Sequence, residues 1–143
     1  MVQELPRDGW RIMKFTSNSG RDCIVDWLDG LPIGERKVVR IELEVILRLL
    51  RFTRSDLWTR PQFAWLQGDR NDGIGEIILD CRGIPYRPLG CFGPGEDEFT
   101  ILIGARKDRK RRGKVQWNPE NAVATAVNRK ALLSGRTLYE YIP

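Results

Sequence analysis

Residues 74–92 read IGEIILDCRGIPYRPLGCF, and residues 99–107 read FTILIGARK. Three runs rich in β-branched and aromatic residues, Ile74 to Arg82, Tyr86 to Phe92 and Phe99 to Lys107, are separated by turn chemistry. The first gap is the short Gly83 to Pro85 turn and the second is the loop GPGEDE. Runs of this length bounded by Gly and Pro read as strands, and short connections between consecutive strands predict a three-stranded antiparallel meander.

Upstream, RIMKFT (Arg11 to Thr16) reads as a short first strand. Ser19 as N-cap with Asp22 three residues on is a carboxylate version of a capping box. Ile24, Trp27, Leu28 and Leu31 then recur at helical spacing, and Gly30 followed by Pro32 supplies a stop. A longer helix is expected from Glu35 to Phe52. Val38, Val45, Leu49 and Phe52, with Val39, Ile46 and Leu50, form its expected buried face, and Lys37, Arg40, Glu44, Arg48 and Arg51 its wet one. Glu42 falls near the middle of the apolar side, so it calls for an arginine partner or for a second chain that covers it.

The following stretch, TRSDLWTRPQFAWLQGDRNDG, mixes Trp58, Phe63, Trp65 and Leu66 with turn residues and reads as an ordered connection. Downstream of the meander, Asn118 as N-cap and Pro119 at the first helical position start a last helix, Glu120 to Ser134, closed by Gly135. The expected fold is therefore α+β, in the order β-α-α-β-β-β-α. It has an antiparallel sheet of about four strands, two N-terminal helices packed on it and a C-terminal helix. No repeat or linker divides residues 1–143, and a chain of this length buries roughly two-thirds of its unfolded surface in one core.

Composition narrows the chemistry. The chain has no histidine, which removes the usual proton shuttle near neutral pH and the usual zinc ligand together. Serine-protease triads, Cys-His pairs and paired-histidine ribonuclease sites drop out, and no cofactor or metal is expected. Acid and base work falls to carboxylates, lysines or tyrosines. Cys23, Cys81 and Cys91 form neither a close pair nor an even set, as suits a reducing compartment and small buried side chains. No apolar run approaches the roughly 18–20 residues of a membrane span, and MVQELPRDGWR lacks the apolar centre of a secretory signal. The expected location is the cytoplasm.

Lys and Arg number 24 against 19 Asp and Glu, a net charge of +5. From Arg106 to Lys114 the chain reads RKDRKRRGK, seven basic residues against the single Asp108, so the excess is concentrated in one stretch. Like charges packed so closely repel one another unless an anion is near, which points to phosphate or to an acidic protein segment.

The motif order in IGEIILDCRGIPYRPLGCF and FTILIGARK resembles the RelE/ParE superfamily of toxins, in particular the phage-derived HigB-like branch of toxin-antitoxin systems. The counterparts are Glu76 through Arg82, Tyr86 with Arg87, Arg106 with Lys107, and the helix face Ala122 to Arg129. GRDCIVDWLDGLP and FAWLQGDRNDG also look like that branch, so the resemblance covers all but the two tips. It implies the toxin of a type II system, an endoribonuclease that cuts mRNA on the ribosome by in-line attack at the scissile phosphate and so inhibits translation. It also implies a cognate antitoxin protein of helix-turn-helix type.

Such a cut needs a base for the attacking hydroxyl, cations for the extra transition-state charge and an acid for the leaving oxygen. The expected catalytic set is Arg82 and Arg87 clamping the phosphate, Arg106 and Lys107 neutralising charge or supplying a proton, and Tyr86 stacking on a base or assisting proton transfer. Arg109, Lys110, Arg111, Arg112 and Lys114 are expected to grip RNA without reading its sequence.

Regular alternation sets Arg82 and Tyr86 on one sheet face and Arg87 on the other. Pro88 has no ladder donor, so a bulge there is expected to re-aim Arg87. Relatives place a tyrosine or histidine after the basic pair where this chain has DRKRRGKVQWNP; Trp117 cannot move a proton, and the donor is unassigned. Two other functions share these features, a ParE-like gyrase inhibitor and a non-catalytic basic RNA-binding or phage accessory protein.

Overall fold

A computed structural model describes residues 4–66 and 73–141, and of residues 109–111 the backbone alone. The chain runs through β1 (Arg11–Lys14), α1 (Cys23–Asp29), α2 (Ile33–Arg51), a 3₁₀ turn (Ser55–Leu57), β2 (Phe63–Trp65), β3 (Gly75–Ile77) and β4 (Leu79–Cys81). It continues through β5 (Ile84–Tyr86), β6 (Leu89–Phe92), β7 (Glu98–Ile103), β8 (Arg106–Arg111), β9 (Lys114–Asn118), α3 (Ala122–Ala131) and β10 (Tyr139–Glu140). Six strands form one sheet in the order β10-β1-β7-β6-β3-β2, and four form another in the order β4-β5-β8-β9. Among the described residues only β1 and β7 pair in parallel.

Among the described residues this α+β arrangement has ten strands in two sheets and three helices, which corrects the expected RelE-like sheet of about four strands. Each strand of the expected meander is broken and handed from one sheet to the other. The first divides at Ile78, the second at Arg87-Pro88 and the third at Gly104-Ala105. Pro88 has no N–H for a ladder, so the second strand cannot run through it. Its carbonyl instead accepts from Ile77 N at 2.9 Å, and Arg87 N donates to Ala105 O at 2.7 Å, so main-chain bonds hold the break closed. At Gly104 a Cβ would collide with the Trp27 ring of α1, so only glycine lets the helix approach where β7 ends.

The core is aromatic at one end. Trp58 packs edge-on or tilted against Trp10, Phe63, Phe92 and Phe99, with ring centroids 4.7–6.4 Å apart. Gly75 and Gly90 are register partners in β3 and β6; a side chain on Gly75 would overlap Phe63, and one on Gly90 would lie 2.6 Å from Phe99 Cζ. α1 and α3 pack on β7, and α2 packs on β1 and β4.

Helix boundaries and faces differ in detail from expectation. Asp22, not Ser19, caps α1, its Oδ1 accepting from Ile24 N at 2.9 Å and Val25 N at 3.2 Å. α3 starts at Ala122, and Asn118, expected as its N-cap, is instead the last residue of β9. α2 buries Val39, Leu43, Leu47 and Leu50, while Val45, Leu49 and Phe52 are exposed, so its core face is rotated from the expected one. Glu42 is half-buried with no arginine ion pair among the described residues. The connection after α2 contributes an edge strand, β2, and its tail at residues 67–72 lies outside the described residues. Cys23, Cys81 and Cys91 are free and buried. No helix among the described residues is long and apolar enough to cross a membrane.

Candidate functional site

The break in the meander gathers charge from three strands. Glu76 is the middle residue of β3, opposite Ala64 on one side and Leu89 on the other, and its side chain is 3% exposed. Burying a lone carboxylate is costly, so it needs partners. Lys107, at the start of β8, donates from Nζ to Glu76 Oε1 at 2.9 Å, and Arg87 Nε stands 3.9 Å from the same oxygen. Arg87, 11% exposed, is pinned at the strand break by Nη1, which donates to Tyr86 O at 2.8 Å, Asp80 Oδ1 at 3.1 Å and Leu79 O at 3.3 Å. Glu76 Oε2 and Arg87 Nε are buried without a hydrogen-bond partner among the described residues. Unmade bonds of this kind are uncommon in native interiors and mark groups with hydrogen-bonding capacity to spare.

Glu76 and Lys107 line a cleft of about 530 Å³ whose walls include Arg60, Trp65, Val115, Trp117 and Val123. Lys107 and Trp117 are register partners in β8 and β9, and Lys107 Nζ sits 5.3 Å from the Trp117 ring centroid. The cluster offers an acceptor, two cations beside it and an aromatic surface, a set suited to an anionic ligand that carries a ring and a proton to lose.

Arg87 and Lys107 are the two members of the expected catalytic set that the fold brings to Glu76. Arg106 and Tyr86 are register partners across β5 and β8, on the opposite face of the four-stranded sheet from Lys107. Arg106 donates from Nε to Asp108 Oδ1 at 3.0 Å and lines a separate cavity of about 350 Å³ with Trp27, Asn118 and Arg129. Tyr86 is fully buried against Trp27, and burial first and Glu35 second push its phenol up from the usual tyrosine value. Arg82 occupies a left-handed position, φ 52°, in the β4–β5 turn and donates to Gly34 O and Glu35 Oε1, both at 3.4 Å, at the start of α2. These three residues lie apart from Glu76.

In the basic run, Arg112 and Lys114 are exposed at the β8–β9 turn, and the side chains of Arg109, Lys110 and Arg111 lie outside the described residues. Tyr141 donates to Glu44 Oε1 of α2 at 3.3 Å. Two cleft residues, Glu76 and Trp117, are not among the site residues that the sequence pattern points to. Glu76 carried a signal all the same, a lone charge inside the apolar run of residues 74–79. Searches against protein-family models, curated proteins and solved structures found no match to the chain.

Proposed function

We propose that the chain is an endoribonuclease acting on mRNA through Glu76, Lys107 and Arg87, the toxin of a toxin-antitoxin pair that inhibits translation. The observation that carries this reading is the buried Glu76 carboxylate lining a cleft, one oxygen held by Lys107 and the other with no hydrogen-bond partner among the described residues. The toxin role, the ribosome as the place of action and the antitoxin rest on the motif resemblance alone, because the architecture departs from the expected one.

In the proposed reaction the RNA 2′-hydroxyl gives its proton to Glu76 Oε2, and the 2′-oxygen attacks phosphorus. The bond to the 5′-oxygen breaks in line, leaving a 2′,3′-cyclic phosphate and a 5′-hydroxyl. Lys107 and Arg87 offset the added negative charge. A protonated Glu76 holds the Lys107 ammonium less tightly, and Lys107 passes a proton to the departing oxygen. Exchange with water restores both groups. A metal has no task in this scheme, since the three side chains supply base, acid and cation.

RNA end-mapping in a ribosome-containing translation mixture tests the reading. Wild type is expected to produce new 5′-hydroxyl ends. Glu76→Gln, which keeps the shape but not the base, is expected to lose at least about 10²-fold in rate. Equal cleavage by Glu76→Gln, or intact message with wild type, overturns it. A second reading, RNA binding without cleavage, is favoured by the three bonds that saturate Arg87 Nη1, which suit a structural anchor. Bound but uncut message supports that one.

A further inference from the structure

We infer that Trp117 is the platform on which one unpaired RNA base stacks, so that the cleft takes single-stranded RNA and rejects duplex. The inference rests on the proposed ribonuclease reading for its substrate class and adds how that substrate is held.

Trp117 lies on β9, half-buried, with the exposed Val115 on the same face of the strand two residues earlier. Trp117, on an edge strand, lines the cleft while packing against the core, which holds the ring in place, and the Lys107 ammonium over it is the contact a base can exchange for. The cleft, about 530 Å³, falls in the size range of small-ligand sites and is apolar along Ala64, Val115 and Val123, the lining a base prefers to water. Charge completes the match. Lys107 reaches both the Trp117 ring and the Glu76 carboxylate, so an ammonium already stands where the phosphate next to a stacked base would lie. Arg112, exposed at the turn of the same hairpin, adds a positive charge at the end of the strand, while Lys114 alternates onto the face away from Trp117.

Binding then exchanges two contacts. The base replaces the ammonium on the indole, and Lys107 turns toward the phosphate, which loosens its hold on Glu76 Oε1. A base inside a duplex is covered on both faces by its neighbours and cannot make this exchange. Stacking on an aromatic side chain tolerates any base because every base has a π-face, so the platform selects strandedness over sequence.

The test uses the 143-residue chain and a short single-stranded oligoribonucleotide carrying 2′-O-methyl groups throughout, which binds but cannot undergo 2′-attack. Affinity is read by fluorescence anisotropy at fixed salt for this strand and for its duplex. Wild type is expected to prefer the single strand. Trp117→Ala is expected to bind the single strand about tenfold more weakly with little change for duplex, and Trp117→Phe to recover most of the loss. A set of strands with one abasic position each probes the unmodified protein, so the inference stays testable if Trp117→Ala misfolds. One position is expected to cost about tenfold and the others little.

Equal affinity of wild type for single strand and duplex overturns the inference. So does Trp117→Ala binding like wild type, or an abasic series without a sensitive position. Wild type that binds the single strand in the expected way yet leaves unmethylated RNA uncut keeps the platform and removes the nuclease.

Discussion

Removing the Lys107 ammonium leaves Glu76, 3% exposed, without its closest partner. An uncompensated buried carboxylate is expensive, so Lys107→Met is expected to lower the unfolding free energy by about 2–3 kcal/mol. Glu76→Gln in the same chain removes the stranded charge and should recover part of that loss. Urea midpoints of the two single variants and the double variant check this, and a double variant no more stable than Lys107→Met would show that the pair does not couple. Arg82 obeys a different logic. It shares a two-residue turn with Gly83, both with positive φ, and its Glu35 contact is made by a side chain 59% exposed. Arg82→Asn suits that turn, is expected to hold the unfolding free energy within about 0.5 kcal/mol, and should leave RNA cleavage unchanged. Loss of cleavage in that variant would put Arg82 back among the working residues.

Along α2 the helical period was legible from the sequence but the buried face was not. Apolar residues occur at 38, 39, 41, 43, 45, 46, 47, 49, 50 and 52, so several faces of the helix qualify as a core stripe. Packing on β1 and β4 selects the stripe through Leu43, Leu47 and Leu50 and leaves Leu49, 51% exposed, outside. Leu47→Ala is expected to cost about 2–5 kcal/mol and Leu49→Ala less than about 1 kcal/mol, in the same denaturation assay. Comparable losses would mean that Leu49 is covered in solution. The strands teach the same lesson. Their apolar runs were readable at 74–82, 86–92 and 99–107, and Pro88 marked one break in advance. The breaks at Ile78 and Gly104 depend on which neighbour each half-strand finds and on how closely Trp27 approaches, which a one-dimensional pattern does not record.

Across the molecule the buried acids share one tendency. Burial, aided by Asp22, pushes the Cys23 thiol up to about 12; burial pushes Cys91 to about 11 and, with Glu44 next, Tyr141 to about 12. A neutral form favoured by folding contributes stability that is complete below the unfolded pKa, about 9 for the thiols and 10 for the phenol. That stability is lost as pH rises toward 11–12. The urea midpoint is therefore expected to hold steady between about pH 7 and 8.5 and to fall between about pH 9 and 11. Tyr141→Phe should flatten the upper part of that fall, and an unchanged profile would show that Tyr141 ionises freely in the folded chain. By itself the sequence determined the α+β class, the helical period of α2, the apolar runs that the two sheets divide between them and a chemistry without histidine. These follow from side-chain pattern and composition, which are local. The tertiary structure alone decided that Arg87 and Lys107 meet at Glu76, while Tyr86 and Arg106 pair on the other face and Arg82 turns to the start of α2. Strand partners, breaks and the face each side chain takes depend on contacts between residues distant in the chain, and a single break reverses which face everything beyond it presents.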